Sequence, residues 1–505
     1  ALKYPSIALP LLLLLIGLGQ GVQAKENDIT LCSNIVEYYG ISYFCAEHRE
    51  LGKELFRTDG TIAGTRVMKD FNRGSGSSNP HSLFIFQDKL FFLAEIPATG
   101  WALWHMNAFG EVTLIKRLDA SAQPAWEPDN WLLINTGSGM LFEAGSQLYI
   151  TNGTDVTTRR LNAVIEDDFS TALGGEHLAT TSLLHNGILY FTSQRNLYAL
   201  NIASNQLSQV RQLPSVAVDK YQNQIVGNSF DNQRFLIVAR SSAGVAGRDL
   251  LLENLSTSSN TTIEQNIRVL GTFANKLIYC DYDDGHVKAI SAGGASATTI
   301  VTWQSGSKCS GSSKVIQANT FLVFTLYGKT YRTNGTLANT QSLPVNLVLF
   351  DNYADYFAVA DGAILALLNT SSNRIELHKL TNGNGALSLV RAMDSTSVVL
   401  YGQLDNQVVL QVNRNAGAPQ LWRTNGTSAG TLLFDSVPND FNISHATSLS
   451  RWSGSQHLYV YSEGRLRHVD GTEAGSRVIK YITAGVDEPE PEPEVNTGWL
   501  AAIIM

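Results

Sequence analysis

A phrase returns along this chain at distances that are multiples of one length. Leu55-Phe56-Arg57-Thr58-Asp59-Gly60-Thr61-Ile62-Ala63-Gly64-Thr65 recurs as Leu421-Trp422-Arg423-Thr424-Asn425-Gly426-Thr427-Ser428-Ala429-Gly430-Thr431. Shorter forms centre on Asn152-Gly153-Thr154, Asn334-Gly335-Thr336 and Asp470-Gly471-Thr472. From Asp59 to Asn152 is 93 residues, on to Asn334 is 182, on to Asn425 is 91 and on to Asp470 is 45. A unit of about 45 residues, the length of a four-stranded propeller blade, makes these two, four, two and one units and therefore ten repeats. Degenerate copies at Leu103-Trp104-His105-Met106-Asn107, Leu197-Tyr198-Ala199-Leu200-Asn201 and Leu380-Thr381-Asn382-Gly383 fall in register. Two more, near Leu252-Glu253-Asn254 and Ser291-Ala292-Gly293, are placed by spacing alone.

Within a unit, short apolar runs alternate with turn residues. The second unit reads Ser82–Phe86, Lys89–Leu93, Ala102–Met106 and Val112–Ile115, each rich in branched and aromatic side chains and bounded by Gly, Asn, Asp or Gln. That is the pattern of strands. A helical solenoid would need apolar residues at a spacing of 3.6 over a dozen positions, and none follows residue 24. One four-stranded sheet cannot bury both of its faces, so neighbouring units must stack. Radial stacking also protects sheet edges. The sequence thus predicts an all-β chain, a β-propeller of about ten four-stranded repeats, as one large ring or as two smaller rings in tandem split near residues 224 to 226.

The phrase itself reads as a turn. Asp59, Asn152, Asn334, Asn425 and Asp470 can each accept a hydrogen bond from the backbone two residues on, and Gly60, Gly153, Gly335, Gly426 and Gly471 supply positive φ at little steric cost. Asn replaces Asp in most copies, so negative charge is not required there, which weighs against a calcium ligand. The second glycine, Gly64, Gly430 or Gly475, is expected to return the chain to the next strand.

Glu54-Leu55-Phe56-Arg57-Thr58-Asp59-Gly60-Thr61, with Gly64-Thr65 and the following Val67-Met68-Lys69-Asp70-Phe71, resembles the repeat of bacterial ELWxxDGT proteins. The resemblance is strongest around residues 54 to 71, 420 to 436 and 465 to 482, and other units lose the acidic start and often the second glycine. It implies an exported repeat protein of propeller fold and carries no catalytic residue or ligand.

The chain's ends read as sorting elements. Residues 1–24 look like a signal peptide, with Lys3, an apolar run from Ile7 to Leu18 and the small-residue site Val22-Gln23-Ala24. Twelve residues of helix span roughly 18 Å, short of a ~30 Å hydrocarbon core. Residues 25–486 form the repeat domain. Residues 487–497 begin the acidic, proline-alternating Asp487-Glu488-Pro489-Glu490-Pro491-Glu492-Pro493-Glu494, a semi-rigid spacer. The apolar residues 498–505 resemble the start of a surface-sorting tail, which implies C-terminal membrane or envelope anchoring and a sequence clipped at both ends. Four cysteines allow three pairings. The pairing within units, Cys32 with Cys45 and Cys280 with Cys309, asks least of the geometry and fits an oxidising compartment.

Composition excludes some partners. The formal net charge is −8, and no Lys/Arg cluster exceeds two residues, so there is no basic stripe for nucleic acid or anionic lipid. No G-x-S-x-G elbow, H-E-x-x-H helix, P-loop or dinucleotide fingerprint occurs, and no cofactor is implied. Asp281-Tyr282-Asp283-Asp284-Gly285-His286 resembles the start of a calcium loop but has Gly285 at the fifth position and lacks Glu at the twelfth, so a polar hairpin tip is the better reading. His81, His177 and His445 recur at unit starts, as a shared structural place or as a channel lining. Trp126, in the polar connection Asp119 to Asn130, is the candidate ligand-binding residue, able to stack on a sugar or anchor a protein partner. Covering a blade edge is its alternative role. The expectation is an exported, non-enzymatic binding or adhesion propeller recognising an extracellular protein or polysaccharide. The alternative is a secreted propeller enzyme, a polysaccharide hydrolase or lyase with an acid/base group at the channel mouth, marked by His, Asp, Glu or Tyr side chains from different blades converging into one pocket. A structural matrix component is the third reading.

Overall fold

The computed structural model describes residues 26–97, 100–118, 133–144, 147–161, 182–193, 196–213, 224–240, 247–294, 296–302, 309, 315–317, 320–326, 328–343, 357–358, 363–371, 374–380, 387–404, 407–414, 416–434, 450–453, 457–472 and 475–482. Among the described residues the strands form eight antiparallel sheets, of which two are seven-stranded and each comprise two blades, so ten blades are described. The first blade runs Val36–Tyr38, Ile41–His48, Gly52–Thr58 and Arg66–Lys69. The second is His81–Phe86, Lys89–Ile96, Gly100–Met106 and Val112–Arg117, close to the runs read from the sequence. Nine of the ten copies of the phrase, worn ones included, fall at or after the third strand of a blade, and of the copy at 380–383 only Leu380, the last residue of a third strand, is described.

The period of two along each strand supplies two apolar faces per blade. In the first blade Phe44, Ala46 and Phe56 face Tyr459, Leu466 and Ile479 of the tenth. On the other side, Tyr43 and Leu55 face Leu83, Leu90 and Phe92 of the second. Such full burial contributes roughly 1.5–3 kcal/mol per large apolar side chain. Similar clusters join blades two to three, three to four, five to six and six to seven. Others join eight to nine and nine to ten.

This packing decides between the two ring arrangements. Two tandem rings split near residue 225 would leave the fourth and fifth blades without a shared face. Instead Leu183, Leu197 and Leu213 of the fourth pack on Ile225, Phe235 and Ile237 of the fifth, and the first blade's free face is taken by the tenth. The packed series runs without a break from the eighth blade through the tenth and first to the seventh. The tandem arrangement is therefore excluded.

Two junctions depart from the regular plan. The strands Ser259–Phe273 and Leu387–Leu404 each serve as the outer strand of one blade and the inner strand of the next. At the first of these the chain reverses at Asn266, whose φ is 54°, and no loop intervenes.

The last blade has a fifth strand. Glu26–Asp28 pairs antiparallel with the final strand Arg477–Ile482, Glu26 opposite Ile482 and Asp28 opposite Lys480.

Candidate functional site

Antiparallel order puts the connections of a blade at two ends. The second-to-third hairpins and the blade-to-blade connections share one end; the first-to-second hairpins and the third-to-fourth turns share the other. Every described copy of the repeated phrase lies at the second end.

There its side chains are used up by the turn. Asp59 Oδ1 accepts from the Thr61 N–H at 2.9 Å and from its hydroxyl at 2.6 Å. Thr58 and Thr65 hydroxyls pair at 2.6 Å, and Gly60 N–H donates to Thr58 Oγ1 at 3.1 Å. The bonds recur around Asn425 at 3.0 and 2.7 Å, and around Asp470 at 2.9 and 2.7 Å. Asn334 accepts from the Thr336 hydroxyl at 2.7 Å, and Asn152 from that of Thr154 at 3.2 Å. Asp and Asn present the same carbonyl-type acceptor, so either serves. The following glycines, Gly60, Gly153, Gly335, Gly426 and Gly471, have φ between 80° and 96°. Each of four also rests on the preceding blade: Gly60 on His468, Gly153 on Phe91, Gly335 on Lys276 and Gly471 on Leu404. The phrase is thus a joint between blades.

One detail differs from expectation. The second glycine does more than return the chain: it lies beneath the Asx side chain, where a Cβ would approach Asp59, Asn425 or Asp470 within about 2 Å.

The cysteines form two bridges, Cys32–Cys45 and Cys280–Cys309. Both lie toward the first end, where the chemically varied side chains are found. Glu54, fully buried at the start of a third strand, accepts from the Ser78 hydroxyl at 2.5 Å and from the Ser78 and Phe71 amides at 3.1 and 3.2 Å. Burial raises its pKa to about 7 despite those donors. With no exposed surface it pins the 70–80 connection and has no access to a substrate. His81 is buried against Trp101, its Nδ1 2.9 Å from Ser82 Oγ, and burial lowers its pKa to about 3. It fills a structural place. His177, His445, Trp126, the acidic loops at 166–168 and 351–355, residues 1–24 and the tail 487–505 lie outside the described residues.

Ionisable groups from two blades meet at the junction of the fifth and sixth. Lys288 Nζ lies 2.6 Å from Asp281 Oδ2, 3.0 Å from Asp284 Oδ2 and 3.3 Å from Glu264 Oε2. The Tyr279 hydroxyl donates to Glu264 Oε2 at 3.2 Å. His286 Nδ1 lies 3.3 Å from Asp284 Oδ1, and its amide donates to the same oxygen at 2.7 Å. Burial alone would lower the lysine's pKa; bonds to Asp281 and Asp284 outweigh it and hold the ammonium charged. The Tyr279 phenol is pushed up by burial and by Glu264. For Asp284, burial is outweighed by the His286 amide and Lys288, which hold the carboxyl low. Asp284, His286 and Glu264 are the more open members, with side chains 41%, 29% and 27% exposed, against 14% for Lys288 and 4% for Asp281.

The fold builds this cluster through the Asn266 bend. Asn266 Nδ2 donates to Asp283 Oδ1 at 2.9 Å, and Tyr282 N–H donates to Asn266 O at 3.0 Å, fixing the hairpin against the neighbouring blade. Asp281–His286 is a polar hairpin tip, as its sequence implies. Sequence reasoning missed Glu264, Tyr279 and Lys288, because Glu264 belongs to the previous blade's outer strand. Among the described residues no group of three or more His, Cys, Asp or Glu side chains is arranged to hold a metal ion, and no helix is long and apolar enough to cross a membrane.

No family model and no curated protein matches the chain. Solved structures share the architecture at a distance. Dipeptidyl peptidase 4 of Porphyromonas gingivalis is 10% identical over 80% of this chain and 60% of its own, with a TM-score of 0.39. An oligogalacturonate lyase in complex with manganese is 16% identical over 66% of this chain and 96% of its own, TM-score 0.30. The tricorn protease is 10% identical over 88% of this chain, TM-score 0.29, and the match spans 48% of its length. These are peptidases and a lyase, so the expectation of a non-enzymatic binding or adhesion propeller finds no counterpart among them and is not carried further. At this identity the likeness concerns architecture and assigns no substrate.

Proposed function

We propose that this chain is an exported β-propeller enzyme acting on a polysaccharide, as a hydrolase or lyase, with its proton-transfer centre at the junction of the fifth and sixth blades. The observation that carries the reading is the convergence of Glu264 from one blade with Tyr279, Asp281, Asp284, His286 and Lys288 from the next. A partly exposed imidazole oriented by a carboxylate is the arrangement general acid–base catalysis needs, and His286 with Asp284 supplies it. Lys288, held charged, offers fixed positive charge beside any oxyanion that develops. Two disulfides fit an oxidising compartment, in keeping with the signal-like residues 1–24 and with the ELWxxDGT resemblance.

The test is incubation of the purified chain with a panel of envelope and matrix polysaccharides, scoring new chain ends. New ends that fall at least tenfold in rate with His286→Ala and with Asp284→Asn support the reading. No new ends on any polymer, or cleavage indifferent to both substitutions, overturns it.

A further inference from the structure

Among the described residues, eight of the nine packed seams between blades join neighbours that follow one another in the chain. The seam between the tenth and first blades joins the two ends of the repeat series, and it alone needs a separate closing element.

Residues 26–33 supply it. Glu26–Asp28 adds a strand to the outer edge of the tenth blade. Ile29 then sinks, fully buried, into the cluster shared by Phe44 and Phe56 of the first blade with Tyr459, Leu466 and Ile479 of the tenth. Leu31 bridges Ala46, Glu47 N–H donates to Thr30 O at 3.0 Å, and Cys32 N–H donates to Cys45 O at 3.0 Å. Ser33 Oγ accepts from Cys45 N–H at 2.8 Å, and the Cys32–Cys45 bond fixes the segment to the first blade's second strand. Eight residues thus grip both sides of the one seam that chain continuity does not hold.

We propose that this segment is a thiol-set latch: joining Cys32 to Cys45 locks the N-terminal strand in place and shuts the ring, so that closure is completed only where thiols are oxidised. The reaction is a two-electron oxidation in which both thiols lose a proton and an electron to a thiol–disulfide exchange partner of the oxidising compartment, whose disulfide is reduced. Without the crosslink the grip is three strand pairs, one buried isoleucine, the Leu31–Ala46 bridge and three hydrogen bonds to the first blade, which a short terminal segment that frays readily loses together. The second bridge has another role. Cys280 and Cys309 lie between the sixth blade and the connection that leads to the seventh, where the chain itself maintains the ring.

The experiment is hydrogen exchange on the folded full chain, oxidised and then treated with a graded reductant, beside Cys32→Ser and Cys280→Ser. Closing a loop of the size set by a 13-residue separation shifts a local opening equilibrium by on the order of a hundredfold. Amides of residues 26–33, 43–46 and 478–482 should therefore exchange on the order of a hundredfold faster after reduction and in Cys32→Ser, while Cys280→Ser leaves them unchanged. Equal protection of these amides in the oxidised and reduced protein overturns the proposal. So does their loss in Cys280→Ser to the same extent as in Cys32→Ser. Graded reduction acts on protein already folded, so the test stands even where the serine variant folds poorly.

Discussion

Gly64 lies directly beneath the Asp59 carboxylate, so that a methyl group at its Cα would come 2.0 Å from Oδ1. The same relation holds between Gly430 and Asn425 at 2.0 Å and between Gly475 and Asp470 at 1.9 Å. This explains why the second glycine accompanies the fullest copies of the phrase. Where Thr157 or Asn339 stands instead, the turn keeps its Asx residue but adjusts: Thr157 donates its hydroxyl to Asn152, and Leu337–Asn339 winds into a short 3-10 turn.

Gly64→Ala or Gly430→Ala is therefore expected to destabilise its blade by about 1–3 kcal/mol, the range for forced overpacking. Thr157→Ala, which removes one hydroxyl and its bonds to Asn152 and Thr154 without crowding, should cost less, about 1 kcal/mol. Thermal denaturation of the three variants side by side checks the order.

Glu54 makes stability fall on the alkaline side. Its folded pKa, raised mainly by burial to about 7 against an ordinary 4.5, means the folded state holds a proton that the unfolded state has released. The contribution is complete below pH 4.5 and is lost as pH rises through 7, amounting to about 3 kcal/mol at most. Glu54→Gln keeps an acceptor for Ser78 and Phe71 but does not titrate. Its melting temperature should drop less than that of the parent chain between pH 5 and 8, and an unchanged pH slope would refute this account.

His468 acts in the opposite sense. It is buried at the tenth-to-first seam, with His457 Nδ1 2.8 Å from its Nε2 and its Nδ1 donating to Gly475 O at 2.8 Å. Burial first, then His457, lowers its pKa to about 4, against the smaller opposing effects of the Gly475 bond and Asp470; Arg477 adds to the lowering. A depressed histidine contributes stability that is complete above the unfolded value of about 6.5 and is lost as pH falls toward 4. His468→Gln should flatten the acid limb of the melting-temperature profile, and amides around Gly60, which rests on the His468 ring, should report the change first.

These residues also show what the sequence could reveal. The phrase was legible because an Asx–Gly turn imposes local chemistry at fixed offsets, so Asp59 to Asp470 could be counted and the blades with them. The Asn266 bend was not, because no loop composition marks a strand that turns from one blade into the next without a connecting loop. Glu26–Asp28 is three residues long, too short to carry a strand pattern, and its partner lies at the opposite end of the chain. For the candidate site, Asp281–His286 stood out as a polar tip, but Glu264 and Lys288 are ordinary alternating residues of strands. Only the register Tyr279 opposite Lys288 and Leu250 opposite Glu264 brings them together.

A last expectation concerns a buried ion pair between the fourth and fifth blades. Glu253 is fully buried, with Arg211 Nη2 at 3.0 Å and Nε at 3.1 Å from Oε1 and Asn260 Nδ2 at 3.2 Å from Oε2. Burial nonetheless raises its pKa, the bonds to Asn260 and Arg211 opposing the rise. Arg211→Met would leave the carboxylate with Asn260 alone among these donors, an uncompensated buried charge that costs about 3–5 kcal/mol. Because a protonated carboxyl tolerates burial far better than an ionised one, the penalty should shrink as pH falls toward 4. The double variant Arg211→Met with Glu253→Gln should recover much of the loss at neutral pH, since it removes the stranded charge along with its partner. Denaturant unfolding of the single and double variants at pH 4 and pH 7 measures both effects. A single variant equally unstable at both pH values would mean that Arg211 acts through packing of its stem against the fourth blade and not through Glu253.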